Sequence, residues 1–161
     1  MATSIFVNLA VTDLERAKAF YTALGFEVNP LFSDENGACL VVEDDIFFML
    51  LTREFFGTFT EKTVADTKTT TSVLTALSRE SRGAVDEALA IGLAHGGREP
   101  VPPQDHGFMY GRDLEDPDGN VLEFFYMDPA AVEAGPEAFM AEQAGDDAGA
   151  EEDTDDGGAL P

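Results

Sequence analysis

The chain has 161 residues, enough for one ordinary domain or for two small halves that share a core. Apolar residues make up 44% and include thirteen Phe, while 32 acids against nine Lys and Arg give a net charge of −23. That charge argues against nucleic acid and anionic membrane surfaces as partners, and no run approaches the roughly 18 apolar residues of a membrane span.

Residues Ile5 to Val11 read as a strand, and Thr12 or Asp13 is placed to cap a helix. Leu14, Ala17, Phe20, Tyr21 and Leu24 then recur at helical spacing, with Gly25 at the stop. Three strands are expected next, at Phe26 to Phe32, Ala38 to Val42 and Ile46 to Leu51, separated by turns at 33–37 and 43–45. Thr52 to Thr71 is a linker with a short helix near Arg53 to Phe59, whose Phe55, Phe56 and Phe59 cover an open end of the core or an adjacent subunit.

The second half repeats the plan. Ser72 to Ser78 is strand-like, and Ser78 or Ser81 caps a helix from about Arg82 to Ala94 that ends at Gly96-Gly97. Strands near Arg98 to Val101, Gly107 to Leu114 and Asn120 to Tyr126 complete the set. Strand, helix and three strands thus occur twice, which makes an α+β domain of two paired βαβββ modules rather than a repeat array. The domain spans 1–129, with modules at about 4–52 and 71–127.

Residues 130–161 carry many acids and no Lys or Arg, and beyond about Gln143 no apolar periodicity remains. That composition predicts a disordered, solvating acidic tail, or alternatively one that recruits a basic partner. The single cysteine, Cys39, leaves no internal disulfide. Together with an N-terminus that lacks a basic and then apolar leader, it sets the expected location as the cytoplasm.

Two segments concentrate the chemistry. In Leu114-Glu-Asp-Pro-Asp-Gly-Asn-Val-Leu-Glu-Phe-Phe125, a turn feeds a strand carrying one carboxylate, Glu123, among apolar neighbours. A charge there either faces water, pairs with a nearby Arg or Lys, or serves a site. In Gln104-Asp-His-Gly-Phe-Met-Tyr110, His106 has the range for proton transfer near neutral pH, with Asp105 or another acid to orient it; otherwise it is a solvated loop residue. Asn8 is either a ligand-orienting amide or a buried, satisfied one. Tyr110 and Arg112 alternate on one strand and either bind an anionic or aromatic ligand or, for Arg112, pair with Glu115, Asp116 or Asp118. Phe47, Phe48, Met49 and Cys39 line an apolar pocket or fill the core. His95 sits at a helix end, where it favours the dipole. No phosphate-binding loop, dinucleotide fingerprint, serine-nucleophile elbow or zinc-type Cys spacing is present.

The doubled βαβββ plan, the opening Val-x-Asp-Leu-Glu-Arg-Ala-x-x-Phe-Tyr and the closing Asp-Pro-Asp-Gly-Asn-x-x-Glu resemble the vicinal oxygen chelate superfamily. That group contains glyoxalase I, bleomycin-resistance proteins and extradiol dioxygenases, and the likeness covers about Ser4 to Pro129; within it, the segment Asp105-His-Gly-Phe-Met-Tyr-Gly-Arg112 and the Phe-rich third and fourth strands resemble a lactoylglutathione-lyase-like bacterial subgroup. The resemblance implies two curled sheets that face each other across a cleft, commonly formed by two chains together, so a homodimer is expected. In metal-dependent relatives four strand positions hold a divalent ion that chelates two adjacent substrate oxygens. Here those positions fall on Phe6, near Met49, near Leu74 and on Glu123. Only Glu123 is a ligand type, since hydrocarbon and thioether groups do not hold such ions in oxygen and nitrogen sites.

The residues support three readings. The first is a small-molecule-binding protein with an apolar cleft and no cofactor, its ligand contacted by Phe6, Asn8, Phe48, Met49, Leu74, Tyr110 and Arg112. The second is a metal-dependent lyase, isomerase or dioxygenase using Glu123 and His106 on a substrate with vicinal oxygens. The third makes the acidic tail the working part of an interaction module.

Overall fold

The computed structural model of the chain describes residues 3–150. Its first module runs β1 (Ile5–Val11), α1 (Leu14–Ala23), β2 (Glu27–Asn29), a single 3-10 turn (Pro30–Phe32), β3 (Gly37–Glu43) and β4 (Ile46–Thr52). After α2 (Arg53–Gly57) and the linker, the second module runs β5 (Leu74–Ser78), α3 (Arg82–Ala94), β6 (Gln104–Asp105), β7 (Met109–Glu115) and β8 (Val121–Met127). Two further helices come last, α4 (Pro129–Ala134) and α5 (Pro136–Ala150).

The helices begin where side chains can satisfy the free N–H groups of a first turn. The Asp13 carboxylate accepts the Arg16 N–H at 3.0 Å, and the Ser81 hydroxyl accepts that of Ala84 at 3.0 Å. Ala17, Phe20 and Tyr21 are the buried face of α1, and Val85, Ala88, Leu89 and Gly92 that of α3. Burying Phe20 and Leu89 fully is worth about 1.5–3 kcal/mol each.

Each module forms a four-stranded mixed sheet of the same order, β1-β4-β3-β2 and β5-β8-β7-β6. The first and last strands of each module pair in parallel, and the remaining pairs are antiparallel. One continuous core joins the modules, from Val11, Phe20 and Phe48 to Leu77, Leu114 and Phe124. This is the glyoxalase/bleomycin-resistance/dioxygenase architecture.

The modules are also tied by polar contacts between the two motifs, whose bonded residues lie 102 to 110 apart in the sequence. Asp118 uses one oxygen to accept the Thr12 N–H at 3.0 Å, the Thr12 hydroxyl at 2.6 Å and Arg16 Nη2 at 3.1 Å. Asn120 Nδ2 donates to Ala10 O at 3.3 Å. Gly119 closes the turn at φ +91°, and an added Cβ would stand 2.5 Å from Thr67 O. Glycine alone fits there.

Three expectations differ from the structure. The strand placed at Phe26 to Phe32 stops at Asn29, because Pro30 opens a 3-10 turn whose Leu31 N–H is taken by Asn29 Oδ1 at 3.0 Å. The strand placed at Arg98 to Val101 is only a bridge between Arg98 and Glu115, and Gln104–Asp105 supplies the edge instead. Pro100, Pro102 and Pro103 remove the donors a longer ladder would need. Finally, the expected disorder past about Gln143 gives way to helix through Ala150, and the remainder of the acidic tail, 151–161, lies outside the described residues. No helix among the described residues is long and apolar enough to cross a membrane.

Candidate ligand cleft

Side chains alternate across a strand, so each sheet has a face toward the helices and a face away from them. In the first sheet the outer face carries two rows set by strand register. One runs Asn8, Met49, Cys39, Asn29; the other runs Phe6, Phe47, Val41, Glu27. Phe6 and Phe47 stack with ring centroids 4.7 Å apart. With Phe32 they wall a cup of about 450 Å³ whose floor is Met49 and Cys39 and whose polar groups are the Asn8 and Asn29 amides. No charged side chain among the described residues lines it.

Asn29 spends its side-chain oxygen on the 3-10 turn, whereas the Asn8 amide makes no hydrogen bond to the described residues. Burial pushes the Cys39 thiol above its ordinary range, so it stays protonated and unreactive. Phe6 is 53% exposed and Phe32 70%. The cup is therefore open in the single chain. A second cavity of about 370 Å³ lies between β1, β5 and the linker, and Asn8 borders both.

The outer face of the second sheet is different. Register aligns Ala76, Glu123 and Asp113 in one row, with Ser78, Phe125, Gly111 and Gln104 in the next. Glu123 and Asp113 thus stand opposite each other on neighbouring strands, and neither pairs with a Lys or Arg of the described residues. Glu123 Oε1 would lie 3.6 Å from a Cβ at Gly111, so the glycine leaves it room. Burial, with Glu99 nearby, pushes the Asp113 carboxyl above its usual value.

These positions test the divalent ion that the fold implies. Phe6 and Met49 offer a ring and a thioether on the first sheet, and on the second Leu74 offers hydrocarbon two residues along β5 from Ala76, the register partner of Glu123. Among the described residues no three His, Cys, Asp or Glu side chains gather where they could hold a metal. The donor set does not fit the ion.

The remaining candidates lie away from the cup. Phe48 does not face it: the ring is fully buried on the helix side, edge-on to Tyr21 and Phe26, and its neighbour Phe47 takes the outer position. Tyr110 and Arg112 share the helix side with Leu114. The Tyr110 hydroxyl donates to Asp86 at 2.7 Å, and Arg112 grips Glu99 through two bonds of 2.9 Å and Asp86 at 2.8 Å. Arg112 is thus committed to structural partners, though not the three acids expected from sequence, since Glu115 pairs with Arg98 instead. His106 sits in the exposed β6–β7 hairpin beside Phe108. Its neighbour Asp105 is held by Arg82 at 2.6 and 3.0 Å, which with the Gly107 N–H brings its carboxyl down to about 2. Glu123 lies four residues along β8 from Met127, the partner of Met109, roughly 13 Å at strand rise. The structure does not bring His106 and Glu123 together.

Sequence reading missed Asp113, Asn29 and Phe32. Asp113 was accessible through alternation, being one step from Arg112 and hence on the opposite face. Asn29 and Phe32 give no such signal, because the apolar pattern runs on as one strand from Phe26 to Phe32.

Residues 3–43 match the family model described as bleomycin resistance protein-like, N-terminal. No curated protein matches the chain. Among solved structures, a hypothetical protein from S. aureus is similar at 24% identity and a TM-score of 0.67, covering 78% of this chain and 94% of that one. A glyoxalase/bleomycin resistance protein/dioxygenase family enzyme from Burkholderia phytofirmans PsJN is similar at 20% identity and 0.65, covering 78% and 99%. A glyoxalase-related enzyme from Fulvimarina pelagi is similar at 17% and 0.66, covering 78% and 88%.

Proposed function

We propose, from the vicinal oxygen chelate fold that this chain carries, that it binds a small, flat, uncharged organic molecule in the cup of its first sheet and needs no resident divalent ion to do so. The observation that carries this reading is the lining itself. In a chain with 32 acids, the cup presents stacked Phe6 and Phe47, Met49 and Cys39, and no charge from the described residues. Apolar walls with a few polar groups are what small-ligand sites require, and the unbonded Asn8 amide can meet one carbonyl or hydroxyl of the guest. Exposed Ile5, Phe6, Val73 and Leu74 support a homodimer in which a second chain covers these faces. The lone buried cysteine suits a cytoplasmic setting.

Native mass spectrometry and elemental analysis of freshly purified protein test this reading. The expected result is a dimer carrying organic mass with far less than one metal per chain. About one Ni, Zn or Mn per chain would overturn it. Phe47→Glu should remove the organic mass.

One observation favours a second reading, a lyase, isomerase or dioxygenase: the unpaired Glu123 faces Asp113, whose raised pKa suits proton transfer. Assays of methylglyoxal–thiol adducts and catechols with added metals should then show activity that Glu123→Gln abolishes. Turnover absent under every metal, or indifferent to Glu123→Gln, removes this reading.

A further inference from the structure

We propose a second site, distinct from the cup: the groove between the β3–β4 hairpin and the C-terminal end of β5 binds a small organic carboxylate, anchored by Arg79. Arg16, Lys18, Arg82, Arg98 and Arg112 each hold a carboxylate. Arg53 donates to the carbonyls of Val64 and Ala65, and Lys62 and Lys68 stand exposed in the linker. Arg79 is half-buried and forms no ion pair among the described residues. In a chain with 32 acids this is not for want of partners.

Desolvating a charge without a counter-ion is costly, and burial draws the Arg79 pKa downward. Its guanidinium is nevertheless held in place. The central carbon lies 4.5 Å from the Phe124 ring centroid, and Nη1 donates to Ser78 O at 2.9 Å. Nε and Nη2 have no acceptor among the described residues. A planar fork fixed on an aromatic face, with donors unspent, is preorganised for a carboxylate.

The groove it borders has a volume of about 470 Å³, a size suited to a small ligand. Leu24, Phe26, Val42, Ile46 and Phe125 offer walls for an alkyl or aryl body. Glu43 also lines the groove. Its charge, with the net −23 of the chain, disfavours a dianion such as phosphate and leaves a monoanion as the guest. Among the described residues the cup has no cationic side chain, so this site stands whether or not the cup binds its own ligand.

Titrating benzoate into the full chain while recording amide and arginine side-chain NMR spectra tests the proposal. Saturable shifts are expected at Gly25, Glu43 and Arg79, including Arg79 Nε. Arg79→Met should weaken binding about tenfold or more, the scale of a lost charge-assisted pair. Arg79→Lys, which keeps the charge without the fork, should weaken it less, and Glu43→Gln should tighten it severalfold. The absence of saturation, undiminished binding by Arg79→Met, or shifts gathered at Asn8 and Cys39 would overturn it. Should Arg79→Met lose its folded spectrum, Arg79→Lys and Glu43→Gln decide, and unchanged affinity in both rejects the site.

Discussion

The Tyr21 hydroxyl donates to Asp116 Oδ2 at 2.7 Å, joining residues 95 apart in the sequence. Asp116 also accepts the N–H groups of Asp118 and Asn120 and the Asn120 amide, each at 2.9 Å. The opening helix and the closing turn thus meet in a buried knot, which is the physical reason that the two motifs are informative as a pair. Burial raises the Asp116 carboxyl above its usual value, and it raises Tyr21 as well, with Asp116 adding to the effect.

Tyr21→Phe removes one bond to this carboxylate and leaves the ring packing intact. The expected loss is about 1.5–3 kcal/mol, the range for a hydrogen bond to a charged group. Urea unfolding should show a lower midpoint at an unchanged slope.

Two carboxyls of the second module should titrate in opposite senses. Asp105, held by Arg82 and the Gly107 N–H, has its folded pKa depressed to about 2. Its contribution to stability is therefore full above the ordinary value near 3.8 and is lost as pH falls toward 2. Asp113, raised by burial and by Glu99, behaves in reverse: its contribution is full at low pH and is lost as pH rises through its folded pKa. Carboxyl-carbon NMR should find the Asp105 midpoint near 2 and that of Asp113 above 3.8. Arg82→Gln should move Asp105 upward. Asp113→Asn should raise the melting temperature at pH 7 and not at pH 3.

Most of the fold was legible because the strand and helix periods were clean and the caps stood where periodicity began. β1, α1, α3 and β8 fall within a residue or so of their expected bounds. Prolines account for the second-module edge strand: three of them between Glu99 and Gln104 remove ladder donors, a local rule that apolar patterning does not register. The site was less legible. Phe47, Phe48 and Met49 are all apolar, so composition cannot say which faces the cup; only register does. Tyr110 and Arg112 looked available as ligand contacts because Asp86 and Glu99, their partners, lie 13 to 26 residues away.

Gly92 sets the approach of α3 to the second sheet. A Cβ there would stand 2.2 Å from Leu114 Cδ2, inside a fully buried side chain. Alanine gains about 1 kcal/mol in helix propensity, while overpacking a core costs about 1–3 kcal/mol. Because the clash involves two methyls of Leu114, the second effect should win and Gly92→Ala should destabilise by about 1–2 kcal/mol. Pairing it with Leu114→Ala should show a coupling of more than about 0.5 kcal/mol, as expected for contacting residues.

Phe48 and Phe6 offer a direct test of which sheet face does what. Phe48 is fully buried against Tyr21 and Phe26, so Phe48→Ala opens a cavity in the shared core and should cost about 3–5 kcal/mol. Phe6 is about half exposed and rests mainly on Phe47, so Phe6→Ala should lower stability by no more than about 1 kcal/mol. Binding should invert the order. Phe6→Ala should abolish retention of the organic ligand in native mass spectra, while a milder core change, Phe48→Leu, should leave it bound. If Phe48→Leu strips the ligand and Phe6→Ala retains it, the guest lies on the helix side of the sheet and the cup is not its site.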